Sequence, residues 1–198
     1  GLILPVGEWV LREACRQGKA WHRAGIPHER ISVNFSGKQF RQQDVVQVVT
    51  RALVDASDPR HLCVELTESG IVENPEQAVT TLHQLKDLGI HLSIDDFGTG
   101  YSSLGYLKRF PVDELKIPQW FIREVLTDSG DAAIVAGTIV LARSLGLKVV
   151  IEGVENEGQF AFVRSKGADV VQGFFFSRPV PPDEAEELLK IGKLDLPG

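Results

Sequence analysis

Apolar residues recur at helical spacing between residues 5 and 21, at Val6, Trp9, Val10, Ala14 and Trp21, and Gly25-Ile26-Pro27 then breaks the run. Beyond this opening helix, short β-branched runs alternate with amphipathic stretches. The pattern predicts strands over residues 31–35, 62–66, 91–94, 114–117, 149–151 and 170–175. Helices are predicted between them over 44–56, 75–88, 102–109, 131–145, 156–166 and 182–191. Asn74-Pro75 reads as an N-cap followed by a first-turn proline, and Gly89, Gly146 and Gly167 stand where helix-ending glycines belong.

Alternation of this kind implies parallel strands joined by right-handed crossovers. Two architectures satisfy it: an open doubly wound sheet and a closed (β/α)8 barrel. Six strands are two short of a barrel, so counting alone favours the open sheet. The polar residues reverse that preference. Asn34, Glu65, Asp95 with Asp96, Lys116, Glu152 and Gln172 each stand at or just after the end of a predicted strand. In a barrel these ends converge on one mouth. In an open sheet they would lie in a row about 25 Å long, because neighbouring strands are ~4.8 Å apart.

Composition narrows the chemistry. The 198 residues are 43% hydrophobic and 24% charged, ordinary for one globular domain, with a net charge of -6. Lysines and arginines are scattered rather than clustered, which argues against a grip on long nucleic acid. Cys15 and Cys63 are too few for a disulfide framework or a thiolate site and are expected to be buried in a protein of a reducing, cytoplasmic compartment. The sequence has no run approaching the ~18 apolar residues of a membrane span. The strand-end residues are oxygen donors without histidine or thiolate, a hard set suited to Mg²⁺ or Mn²⁺ rather than zinc. Asp95 and Asp96 would repel each other unless a cation stood beside them. Solvated acids do occur at strand ends, but six successive strands each delivering a polar residue favour a functional site. His22, His28, His61, His83 and His91 show no ligand spacing. Trp9, Trp21 and Trp120 are expected in the core or an interface.

Asp95-Asp96-Phe97-Gly98-Thr99-Gly100 runs into Tyr101-Ser102-Ser103-Leu104. A dinucleotide loop of the G-x-G-x-x-G type fails here, because Ser103 stands where the third glycine belongs and the acids would repel a pyrophosphate. Together with Ser32-Val33-Asn34-Phe35-Ser36, Gln39-Phe40, Glu65-Leu66-Thr67-Glu68-Ser69, Leu115-Lys116-Ile117, Glu152-Gly153-Val154-Glu155 and Gln172-Gly173-Phe174, this motif closely resembles the EAL family.

The resemblance covers the chain from Gly1 to about Leu189. It implies a TIM-like (β/α)8 barrel of the EAL type, with about six of its eight strands in this chain. It further implies hydrolysis of cyclic-di-GMP to linear pGpG with Mg²⁺ or Mn²⁺. By the resemblance, Asn34, Glu65, Asp95 and Asp96 match metal ligands, with Asp95 able to bridge two ions. Lys116 matches the lysine that holds the attacking water, and Glu152 an acid proposed as general base or second-metal partner. Gln172 matches a residue that orients ligand or water. Glu68 resembles an acid that anchors the loop after Asp96 and couples it to dimer contacts, so a homodimer is implied. Attached sensory or diguanylate cyclase domains, or a membrane tether upstream, are compatible with the resemblance.

Two departures accompany it. The Glu-Ala-Leu motif that names the family is absent from residues 1–198, and its strand and the one before it would bring six strands to eight. The expected domain is thus residues 1–192 without its first two strands, followed by a tail over 193–198, with roughly 40 further residues upstream. Pro118 stands where the family usually shows aspartate after Lys-Ile. Proline there either ends the strand or disturbs Lys116. The rival to an enzyme is a catalytically inactive EAL domain serving as a cyclic-di-GMP receptor.

Overall fold

The computed structural model describes residues 2–42, 44–56, 58–99 and 104–192. The end of the acidic motif, residues 100–103, and the expected tail at 193–198 lie outside them.

Helix α1 (Ile3–Arg23) precedes strand β1 (Ile31–Phe35), short helix α2 (Gly37–Gln42) and helix α3 (Val45–Leu53). Strand β2 (Leu62–Thr67) follows a 3-10 turn at Pro59–His61 and leads through α4 (Glu68–Val72) into α5 (Pro75–Asp87). Then come β3 (His91–Asp95), α6 (Leu104–Leu107), β4 (Glu114–Ile117), α7 (Gln119–Arg123) and α8 (Ser129–Ser144). The chain continues with β5 (Lys148–Ile151), α9 (Glu157–Lys166), β6 (Val170–Val171) and α10 (Pro182–Ile191). Asn74 caps α5 by accepting from Gln77 N, and Gly167 ends α9 with a left-handed φ of 88°.

All six strands are parallel and lie in sequence order, β1-β2-β3-β4-β5-β6. An unreversed order with right-handed crossovers puts every helix on one face of the sheet, the arrangement of a barrel wall rather than a doubly wound sheet. The side-chain alternation agrees. Val33, Phe35, Val64, Leu66, Leu92, Ile94, Leu115, Ile117, Val149 and Ile151 belong to one buried apolar cluster shared with Leu11, Val49, Leu82, Leu85, Ile139 and Val163 of the helices. The intervening positions that register aligns, Asn34↔Glu65, Glu65↔Ser93 and Ser93↔Glu114, are polar and line the other face, with apolar Val150 of β5 beside Lys116. Strands β1 and β6 each have a free outer edge among the described residues.

The last strand is shorter than its sequence suggests, because Gly173 turns the chain back onto Val154 and Phe175 N bonds Val154 O at 3.0 Å. Short helices α2, α4 and α7 are absent from the apolar pattern, being less than two turns long. Cys15 and Cys63 are buried, their thiols pushed up to about 11 and about 12 by burial, with Asp55 and Glu114 respectively adding to the shift. Trp9 and Trp120 are 65% and 58% exposed, not core residues.

Candidate active site

Lys116 is the centre of the site. Its position on β4 faces the polar side of the sheet, and the residue is only 5% exposed. Nζ lies 2.5 Å from Glu65 Oε2 on β2, 2.6 Å from Glu152 Oε1 just past β5 and 3.4 Å from Asp95 Oδ1 at the end of β3. Three carboxylates from three strands therefore meet one ammonium, as convergence at a barrel mouth requires. Register sets the level: Thr67 pairs with Asp95, Ile117 pairs with Ile151, and Glu152 N donates to Ile117 O at 3.0 Å.

Burial alone would push the Lys116 ammonium down; hydrogen bonds to Glu152 and Glu65 outweigh it and hold the group above the ordinary lysine range. Burial raises the Glu152 carboxyl, and Asp95 and Glu65 add to the shift against the pull of Lys116. Asp96 is raised by burial and by Asp95 beside it. Asp96 also holds a φ of 55°, rare for a residue with a side chain and typical of a functional turn. The turn is held by Asp96 N on Asp95 Oδ1 at 3.0 Å, Thr99 Oγ1 on Asp96 O at 2.8 Å and Phe97 N on Lys116 O at 3.2 Å.

Glu68, at the first position of α4, is buried and accepts from Gly98 N at 2.8 Å, two residues beyond Asp96. Asn34, exposed on β1, pairs in register with Glu65 and thus stands at the level of the carboxylates. Gln172 and Glu152 line one cleft of about 200 Å³, with Gly153, Glu155 and Phe174 among its other walls. Pro118 ends β4: its φ of -72° and ψ of 155° make it the residue before α7, and its carbonyl accepts from Phe121 N at 3.2 Å. Lys116 keeps its partners two residues earlier. The histidines stand elsewhere: His22, His28 and His61 pack ring against ring near the start of β2, at the opposite end of the strand. One structural residue escaped the sequence reading. Gln159 is buried on α9, bonding Glu155 N at 2.8 Å and Ile122 O at 3.1 Å. Its signal is a glutamine one turn before Val163, on the buried side of the helix.

Among the described residues, no three His, Cys, Asp or Glu side chains already converge tightly enough to enclose an ion; Lys116 occupies the space between the carboxylates. The donor chemistry nevertheless fits a divalent cation. Glu65, Asp95, Asp96 and the Asn34 amide supply oxygen alone, and the repulsion between Asp95 and Asp96 is what a cation would relieve.

A one-sided parallel sheet with an acidic, lysine-centred mouth places the chain in the (β/α)-barrel fold class. The sequence profile of the EAL domain matches residues 1–179, and the chain belongs to the EAL domain family. It is 48% identical over 190 residues to the bifunctional diguanylate cyclase/cyclic di-GMP phosphodiesterase MucR of Pseudomonas aeruginosa, covering 96% of this chain and 27% of MucR. The chain thus spans about a quarter of the length of such relatives. Its fold matches a c-di-GMP complex of the PaMucR phosphodiesterase at a TM-score of 0.90 and 47% identity, over 93% of this chain and 75% of that one. The EAL domain of Mycobacterium smegmatis DcpA matches at 0.93 and 36% identity, over 98% and 88%. Among the described residues no helix is long and apolar enough to cross a membrane.

Proposed function

We propose that this chain is the larger part of a cyclic-di-GMP phosphodiesterase domain that yields linear pGpG. One observation carries the reading: a buried lysine gathers carboxylates from three strands, in a chain whose relatives include proteins named for this activity. Asn34, Glu65, Asp95 and Asp96 are the residues that would hold Mg²⁺ or Mn²⁺. Bound there, the metal would lower the pKa of a water and offset charge on the phosphodiester.

The chain's own residues do the rest. The Lys116 ammonium stays charged and offers donors to a water or to the developing oxyanion. Glu152, raised by its burial, is a stronger base than a free carboxylate and stands 2.6 Å from Lys116, where it can take a proton from a water held there. Gln172 shares the cleft with Glu152 and can orient the ligand. Glu68 fixes the turn bearing Asp96 through Gly98. Residues 1–192 form the domain portion that performs this work.

The test uses the full-length protein with cyclic-di-GMP and either metal, following pGpG by chromatography. Formation of pGpG that stops on chelation is expected. Saturated binding with no pGpG would instead make the domain a receptor.

A further inference from the structure

We infer that Gln119 is a positioning residue for Glu152, acting through the loop 152–155; the inference rests on the phosphodiesterase reading above. Gln119 opens α7, the short helix that Pro118 caps at the end of β4, two residues beyond Lys116. Its amide Nε2 donates to Glu155 Oε1 at 2.9 Å. Its aliphatic stem lies flat on Gly153, so close that a β-carbon at 153 would overlap Gln119 Cβ and Cγ and sit 2.9 Å from Cδ. Gly153 has a φ of 70°, so the loop both turns sharply and leaves its inner side bare for Gln119.

The other end of the same helix holds the other end of the same loop. Gln159 Nε2 donates to Ile122 O at 3.1 Å while its Oε1 accepts from Glu155 N at 2.8 Å. Glu155 is therefore gripped twice from α7: by its side chain through Gln119, and by its backbone through Gln159. Glu152 lies one residue before the glycine that Gln119 covers. Between these grips, the Phe121 ring faces Gly98, where a β-carbon would lie 3.3 Å from Cε2. Gly98 is the residue whose N–H Glu68 holds. Helix α7 thus braces the loop bearing Glu152 and the turn bearing Asp96 against one rigid element, directly beyond Lys116.

Gln119 makes this clamp with a neutral donor against a carboxylate, which defines a test by exchange of the two groups. In the full-length protein, Gln119→Ala and Gln119→Glu are expected to lower kcat about tenfold or more with KM little changed, since a displacement of ~1 Å at a reacting group can cost about a hundredfold and a smaller one correspondingly less. Gln119→Glu sets two carboxylates against each other. The double variant Gln119→Glu/Glu155→Gln reverses the hydrogen bond and keeps the net charge, and is expected to recover to within about threefold of wild type. Hydrogen exchange of amides 153–159 supplies a readout without turnover: about tenfold faster exchange in Gln119→Ala, the worth of one hydrogen bond, and protection regained in the double variant.

Unchanged kcat in Gln119→Ala, a KM effect alone, no recovery in the double variant, or unaltered exchange would each overturn the inference. A wild type that forms no pGpG would defeat the phosphodiesterase reading instead, and the exchange measurements would still decide whether Gln119 holds the loop.

Discussion

Lys116 and Glu152 meet at 2.6 Å, and both titrate higher than they would in water. The two shifts have different origins. Burial opposes the charged form of each group, but Lys116 has Glu152 and Glu65 as partners, whereas Glu152 shares its single ammonium with Glu65 and Asp95. One cation among three acids leaves an excess of negative charge at the mouth.

Lys116→Met should expose how much that cation holds together. The substitution keeps the stem but leaves buried Glu65 and half-buried Glu152 without their counter-charge, a loss of about 3–5 kcal/mol for the broken buried pair with Glu65. Denaturant melts in metal-free buffer should show it, and lowering the pH should restore part of the loss as the carboxylates take up protons. Hydrolysis should fall at least about a hundredfold, the scale of one lost donor to a developing oxyanion.

Glu68→Ala removes the acceptor for Gly98 N–H. The turn over 96–99 then loses this tie to α4, at a cost of about 1 kcal/mol, the net worth of one part-buried hydrogen bond. Faster exchange of the Gly98 and Thr99 amides, with slower turnover and unchanged exchange in the strands, is the expected result. Uniform acceleration through β2 and β3 would mean that Glu68 supports the whole sheet instead.

The pH dependence of stability should carry the mark of Glu114, at the start of β4 two residues before Lys116. Its carboxyl is raised above its ordinary value of 4.5 by burial, against the opposing influence of Arg30 and Cys63. A raised acid binds its proton more tightly in the folded state. Its contribution is therefore fully present below pH 4.5 and is lost as pH rises through the interval up to the raised value. Glu114→Gln, neutral throughout, should flatten that descent, so that the difference between variant and wild-type urea midpoints grows across this window and is constant above it.

Much of this arrangement was legible in the sequence, and for a physical reason. A residue such as Lys116 or Glu65, charged within a β-branched run, contradicts its surroundings, and period-two alternation then fixes which face it takes. Sheet order could not be read in that way, because apolar runs report burial and not neighbours; the unreversed order of β1 to β6 settled it. The two-residue β6 was overestimated because Phe174 and Phe175 continue the apolar run after Gly173 has already turned the chain. Gln119 gave no signal at all. A glutamine in a surface helix is ordinary until the bare Gly153 beneath it is seen in space.

Asp95→Asn should move the metal-free and metal-bound proteins in opposite senses. Without metal, Asp95 adds to the negative charge that raises both Asp96 and Glu152, so neutralising it relieves repulsion and should hold or increase the melting temperature. With metal, the same change puts a neutral amide, with one oxygen and no charge, in place of an anionic carboxylate at the point where the other donors gather. Wild type in Mn²⁺ at about a hundredfold above Kd should gain ~2.7 kcal/mol by mass action, and Asp95→Asn should gain little of it. Thermal melts of both proteins in chelator and in Mn²⁺ give the four values needed. A variant that loses stability without metal yet keeps its full response to Mn²⁺ would show Asp95 to be a structural partner of Lys116 and not a ligand.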